Sequence, residues 1–233
     1  MSHTNINKNK RIIVFAPHPD DETLGCGGTI AKKIAEGYEV LIVVMTDGRF
    51  LLPKNSRIDA YLTSEQVKEI RRAEVLRATK ILGVPEKNVI FLDFIDGTLK
   101  ENEEAAEEKI TMILKKFLPS EVYFPYEKDD HIDHKATNQI VRKVFEKLNL
   151  MPKMYGYSIA QKFARVGPII EFFLNFFYRN IIYVDISKFL SLKRKAVNEF
   201  KIESLKFPSN KTNLNFKRFD KYLEKKEKFY IIK

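Results

Sequence analysis

One cysteine in 233 residues, Cys26, leaves no partner for an internal disulfide framework, so the chain is held by burial and hydrogen bonding and suits a reducing compartment. Nothing nearby in sequence lowers that thiol's pKa, and Cys26 reads as a small packing residue rather than a nucleophile. Glycine and proline are sparse at nine each, and no low-complexity linker or internal repeat interrupts the chain. No stretch is long and apolar enough for an uninterrupted membrane span. Met1 to Lys10 is polar and the first apolar run is only a strand long, so no secretory signal is expected and the expected location is cytoplasmic. Zinc-knuckle, RNA-binding and helix-turn-helix patterns are missing, which argues against nucleic acid. Gly25, Gly27 and Gly28 do not make a G-x-G-x-x-G after the first strand, which disfavours a dinucleotide site.

What remains is a chain with 44% hydrophobic residues and a formal charge of +10, enough to bury one sizeable core. From Ile186 onward 14 Lys/Arg stand against 5 Asp/Glu, so nearly all the excess is C-terminal. A solvated lysine-rich helix explains such a run; a basic face also attracts anionic lipid or a phosphorylated substrate.

Buried-strand patterns at Arg11 to Phe15, Glu39 to Met45, Val89 to Leu92 and Val122 to Phe124 alternate with helical periodicity after Leu24, from Thr63 or Ser64 to Leu82, from Glu101 to Phe117 and from Lys135 to Leu148. This alternation predicts βαβ units with right-handed crossovers around a mostly parallel sheet. Met154 to Ile159 and Ile181 to Ile186 add strands, and Lys188 to Glu203 reads as a basic amphipathic helix. Phe216, Phe219, Tyr222 and Leu223 recur at helical spacing. The whole chain, 1–233, reads as a single domain, with 1–10 a flexible start and 186–233 its basic C-terminal part.

The strand exits carry the chemistry. His18, Asp20, Asp21 and Glu22 crowd into a turn that Pro17 and Pro19 keep from continuing the strand. Further exits carry Thr46 and Asp47, Asp93 and Asp96, and His131 and His134. Adjacent carboxylates beside a histidine repel one another unless a cation is present, although carboxylates at a helix start also serve as caps. A His-x-x-Asp turn joined by a remote histidine provides three ligands and an open fourth position, the arrangement of catalytic zinc.

His18-Pro19-Asp20-Asp21-Glu22, Gly25-Cys26-Gly27-Gly28-Thr29, Thr46-Asp47-Gly48, Arg71-x-x-Glu74, Asp96-Gly97 and His131-x-x-His134, in that order, resemble the PIG-L/LmbE-like family of zinc-dependent de-N-acetylases. The resemblance runs from about Arg11 to Ile186. It implies a Rossmann-like three-layer α/β sandwich with its active site at the carboxyl edge, and removal of acetyl from an N-acetylglucosamine-type sugar or conjugate. It also implies His18, Asp21 and His134 as zinc ligands and Asp20 as general base. His131 matches the residue that stabilises the oxyanion when protonated, with Asp133 orienting it. Arg71 and Asp96 match substrate contacts, although Arg71 also has Glu74 as an intrahelical partner. Where some family members carry a tyrosine before the histidines, this chain has Glu127-Lys128-Asp129-Asp130, with Tyr126 nearby but out of register.

The same two histidines and one carboxylate also suit a non-haem Fe(II) enzyme, with Fe2+ in place of zinc. A non-enzymatic Rossmann-like module that binds a phosphorylated ligand is the other rival. Ala164 to Tyr183 is the most apolar and aromatic stretch, with Glu171, Asn175 and Arg179 as one polar stripe. Such a helix is buried core or a grip for an apolar aglycone, a lipid-linked sugar, a membrane surface or a second copy of the chain.

Overall fold

The structure is a computed structural model that describes residues 10–51, 62–159, 180–202 and 219–233. The apolar runs form β1 (Arg11–Ala16) and β2 (Glu39–Thr46), buried along almost their whole length, as strands covered on both faces must be. β3 (Val89–Phe94), β4 (Glu121–Pro125), β5 (Lys153–Tyr157), β6 (Ile181–Asp185) and β7 (Lys226–Ile232) complete one sheet in the order β3-β2-β1-β4-β5-β7-β6. Strands β1 to β5 are parallel, and β7 runs antiparallel between β5 and β6.

The helices are α1 (Asp21–Ala35), α2 (Ser64–Ile81), α3 (Glu103–Lys116), α4 (Ile132–Lys147) and α5 (Leu190–Val197). Alternation along β1 divides the core between the two faces. Ile12, Val14 and Ala16 pack with Ile30 of α1, Val75 of α2 and Ala196 of α5. Ile13 and Phe15 pack with Ile110 of α3 and Val144 of α4. The result is the expected three-layer α/β sandwich. Thr63 starts α2 with a capping box, its hydroxyl accepting from Gln66 N–H while the Gln66 side chain accepts from Thr63 N–H.

From β1 the chain winds outward to β2 and β3, then returns to β4 on the other side of β1. The order reverses between β1 and β4, and the crevice beyond their carboxyl ends is where open α/β sheets bind ligands.

The C-terminal part departs from its periodicity. The expected helix Lys188 to Glu203 is formed only over Leu190–Val197. Glu74 of α2 accepts the backbone N–H groups of Lys201 and Ile202, at 2.8 and 2.9 Å, and these bonds take the chain out of the helix. Phe216 and the aromatic stretch 164–179 lie outside the described residues; Ile181 to Tyr183 belong to β6. Phe219 to Leu223 make a short 3-10 turn, Asp220–Tyr222, and not a helical face. After it comes β7, which the sequence reading does not contain, with Glu227 and Phe229 directed inward and buried.

Glu227 meets α1 and α5 at a buried ion pair. Lys193 Nζ donates to Glu227 Oε1 at 2.6 Å and to the Leu24 carbonyl at 2.8 Å. The two oxygens of Glu227 also accept the N–H groups of Gly28 and Thr29 in mid-helix. A Cβ on Gly28 would collide with Ile186, so glycine allows α1 to lie against the β6–α5 connection. Part of the C-terminal positive charge is therefore core rather than surface. Among the described residues, no helix is long and apolar enough to cross a membrane.

Candidate metal centre and active site

The turn after β1 is strained at one residue. Asp20 precedes α1 with φ 139° and ψ −27°, a backbone region that costs a non-glycine residue about 1–3 kcal/mol and is concentrated at functional sites. Arg71, buried in α2, holds it there. Its Nη2 donates to the Pro19 carbonyl at 2.6 Å and to Asp20 Oδ2 at 3.0 Å, and its Nη1 donates to the Gly48 carbonyl at 3.1 Å. Gly48 has φ +63°, and a Cβ there would run into the Arg71 guanidinium. Thr46-Asp47-Gly48 is thus the seat for Arg71. The sequence reading makes Arg71 a substrate contact or a partner of Glu74. In the structure its guanidinium binds the β1 turn and lines the cavity, while Glu74 also accepts the N–H groups of residues 201 and 202.

Next to Asp20 three donor atoms form a triangle. His18 Nδ1 lies 3.2 Å from Asp21 Oδ2, His134 Nε2 lies 3.1 Å from the same oxygen, and the two ring nitrogens are 3.2 Å apart. Tetrahedral zinc with bonds of about 2.0–2.1 Å separates its ligands by about 3.3–3.4 Å, so the triangle has the size of one face of such a site. Two imidazole nitrogens directed at each other and at one carboxylate oxygen call for a cation or proton between them.

The outer nitrogens of these histidines agree with that reading. His18 Nε2 is 3.0 Å from Asp133 Oδ2 and 3.4 Å from Asp96 Oδ1. Asp133 also accepts Gly97 N–H at 2.8 Å and Leu99 N–H at 3.2 Å, so its oxygens are occupied in holding His18. His134 Nδ1 lies 3.1 Å from Asp129 Oδ2, an ion-pair distance without hydrogen-bond alignment. Fully buried Asp129 is itself fixed by N–H groups of His131 and Ile159. Each of the two histidines thus has a carboxylate behind its outer nitrogen, the arrangement that orients histidines at metal sites. His18, Asp96 and Asp133 also gather three potential ligand atoms, but there His18 Nε2 faces two carboxylates already engaged elsewhere. His18, His131 and His134 form another such group.

The electrostatics follow from this packing. Burial lowers the His18 pKa, but Asp133, Asp21 and Asp96 outweigh it and raise it well above the usual value. For His134 burial again opposes, and Asp21 and Asp129 bring the pKa up to about 9. Burial raises the Asp21 carboxyl, yet the two histidines hold it far below the carboxylate range. These are the directions expected where protonated rings answer charges that a metal would otherwise answer. Glu22, fully buried, is raised to about 7 by burial. It accepts from the Thr23 hydroxyl and the Asp20 N–H, so it is a helix-start carboxylate and not part of the triangle. Cys26 is buried with its thiol pKa pushed up by burial, as an inert packing residue requires.

His131 caps α4: its Nδ1 accepts the Asp133 N–H at 3.3 Å, which leaves Nε2 to carry the proton. Burial lowers its pKa, and His18 and His134 lower it further. The Asp133 carboxylate orients His18, whereas only the Asp133 backbone touches His131. Asp96 lines the site as expected, but its oxygens face His18 Nε2 and the Phe50 N–H.

These groups floor a cavity of about 410 Å3 whose lining includes His18, Asp20, Asp21, Arg71, Asp96, His131 and His134. Its walls come from several elements. Phe50 and Leu51 follow β2, Ile132 begins α4, Ile159 follows β5, and Phe219, Lys221 and Tyr222 come from the C-terminal turn. Asp129 carried one signal in sequence, a carboxylate two residues before His131.

The PIG-L family model, GlcNAc-PI de-N-acetylase, matches residues 13–145. The diacetylchitobiose deacetylase of Thermococcus kodakarensis is 28% identical over 197 residues, 82% of this chain and 69% of that protein. A probable N-acetyl-alpha-D-glucosaminyl L-malate deacetylase 2 of Bacillus cereus is 31% identical over 145 residues, which are 62% of this chain and 63% of that protein. This chain thus spans less than two thirds of the Bacillus relative. The N,N'-diacetylchitobiose deacetylase structure from Pyrococcus horikoshii superposes with a TM-score of 0.70 at 24% identity, over 100% of this chain and 87% of that one, and shows the shared fold. The matched residues cover more than half of the sequence, from β1 through both histidine turns, and the chain belongs to the PIG-L family.

Proposed function

We propose that the chain is a zinc-dependent hydrolase that removes acetyl from an N-acetylated amino sugar in a conjugate. The observation that carries this reading is the triangle of His18 Nδ1, Asp21 Oδ2 and His134 Nε2, with edges of 3.1–3.2 Å, on the floor of a cavity beside the buried acid Asp20. The three residues would hold the metal. Zinc supplies Lewis acidity there, lowering the pKa of water from 15.7 towards about 7.

The protein groups supply orientation and proton transfer. Asp20, held by Arg71, takes a proton from the water that attacks the acetamide carbonyl and returns it to the departing amine. His131, with its tautomer fixed by the start of α4, donates from Nε2 to the carbonyl oxygen as negative charge builds there. Asp133 and Asp129 keep His18 and His134 in position. The related deacetylases support an amide-cleaving activity on N-acetylated sugars.

The test is metal analysis of purified protein together with amine release from N-acetylglucosamine conjugates. One zinc per chain is expected, with activity lost on chelation and restored by zinc. His134→Ala should lose most of its bound zinc; normal occupancy in that variant would reject the ligand set. Iron in place of zinc, with oxygen-dependent turnover, would favour the Fe(II) alternative.

Asp129 provides a finer measurement. Asp129→Asn removes the carboxylate behind His134 but keeps the shape of the side chain, and zinc affinity should fall about 10–100-fold. Competition against a chromophoric chelator reads this without reference to turnover. An unchanged affinity would mean that Asp129 serves only the loop between Tyr126 and Ile132.

A further inference from the structure

We infer, on the deacetylase reading of the cavity floor, that Glu22 is a positioning residue for the base Asp20. Its carboxyl fixes the peptide between Pro19 and Asp20 in the plane that keeps the Asp20 side chain on the cavity, and it excludes the flipped plane. Glu22 is an acid that the proposed reaction does not use, fully buried in the first turn of α1. Burying a carboxyl is costly unless its oxygens are occupied. Both are: Oε1 accepts the Thr23 hydroxyl at 2.6 Å, and Oε2 accepts the Asp20 N–H at 3.2 Å.

The second of these bonds acts on the strained residue, whose φ is 139° and ψ −27°. The Pro19 carbonyl and the Asp20 N–H are the two ends of one planar peptide. Arg71 Nη2 holds the carbonyl end at 2.6 Å, and Glu22 holds the N–H end. Turning that plane over by about 180° would carry the Asp20 φ to about −40°, beside the ordinary helical region that its ψ already fits. The turn therefore has a relaxed alternative that it does not take.

What stands against the alternative is the pair of side chains. In the flipped plane the Pro19 carbonyl would face Glu22 Oε2, and the Asp20 N–H would face the Arg71 guanidinium. Buried groups opposed in this way lose their partners, which costs more than a hydrogen bond gains. The Asp20 carbonyl is meanwhile fixed by the N–H groups of Thr23 and Leu24, at 3.0 and 2.9 Å, so any relaxation falls on the peptide before it. A change of plane there re-aims the Asp20 side chain, and a general base has to lie within hydrogen-bond reach of the proton that it takes.

The test replaces Glu22 by methionine, which keeps the length of the side chain and removes both oxygens. It also uses glutamine, whose amide oxygen can accept the Asp20 N–H while its amide N–H donates to the Thr23 hydroxyl oxygen. Two readouts are used: hydrolysis of the methyl glycoside of N-acetylglucosamine by zinc-loaded protein, and hydrogen exchange of the Asp20 amide by NMR. Glu22→Met should keep its zinc and its KM and lose about 10–100-fold in kcat, the effect of a reacting group displaced by about 1 Å. Its Asp20 amide should exchange at least about tenfold faster, with the Thr23 and Leu24 amides unchanged. Glu22→Gln should recover most of both losses. In Asp20→Asn protein, Glu22→Met should cost little further rate, because Glu22 acts through the base. If methionine prevents folding, Glu22→Asp makes the same comparison with a carboxyl too short to reach the amide. Unchanged kcat and unchanged exchange in these variants overturn the inference. So does an equal loss in the wild-type and Asp20→Asn backgrounds, which marks a general fold defect. Faster Asp20 exchange in a protein that hydrolyses no amide leaves the clamp standing and rejects the deacetylase reading.

Discussion

Asp20→Asn is expected to keep its zinc and lose about 10²–10⁴-fold in rate, the usual contribution of a positioned general base. Asparagine is the informative replacement because, with aspartate, it is among the non-glycine residues that best tolerate positive φ, and Asp20 sits at φ 139°. Its amide oxygen can still accept from Arg71 Nη2, which lies 3.0 Å from the present carboxylate, so the turn stays in place. What disappears is the basic oxygen. The ligand triangle does not include Asp20, and metal content should match the wild type. Zinc loss in Asp20→Asn, or turnover near the wild-type rate, would show that ligand and base are divided differently. His131→Ala provides the companion result: retained zinc with a loss on the order of 10²–10³-fold, as when one oxyanion donor is removed.

The largest effect on stability should come from Glu227→Ala. Lys193 and Glu227 have side chains only 1% and 4% exposed, and removing one member of a buried pair strands the other. The cost is about 3–5 kcal/mol, roughly 10²–10⁴ in the folding equilibrium. The two N–H groups from Gly28 and Thr29 that Glu227 accepts lose that partner as well. For a chain of this size the melting temperature should fall by about 6–20 °C. A double variant, Lys193→Met with Glu227→Leu, should recover much of the loss, because it leaves no buried charge. The freed N–H groups of α1 can then rely on helical carbonyls. Urea unfolding of the wild type, both single variants and the double variant measures the coupling. A Glu227→Ala loss below 1 kcal/mol would mean that the ammonium of Lys193 escapes to water. The consequence reaches the site, since α1 carries Asp21 in its first turn and is fastened to β7 and α5 by this pair.

What the sequence by itself determined is the part of the protein with short-range or periodic causes. Continuous apolar runs at β1, β2 and β4 announce strands covered on both faces, and the intervening helical periodicity makes their order parallel. His18, Asp20 and Asp21 share one turn, and His131 and His134 share another, so each half of the candidate site is local and readable. That the halves meet follows from strand order, and the resemblance to a known family implies it as well. The tertiary structure decided the rest. Strand β7 opens with Lys-Glu-Lys and only its last four residues are apolar or aromatic; its extent and its place between β5 and β6 are set by pairing. Lys193 looks like one more surface lysine until Glu227, 34 residues away, meets it in the core. Arg71 lies 51 residues from Asp20, and the direction of its guanidinium depends on where α2 packs. Asp133 precedes His134 in sequence but faces His18, 115 residues away, because the start of α4 directs its side chain across the crevice. Side-chain direction, long-range pairing and the walls of the cavity are properties of packing, and they appear only when the sheet is assembled.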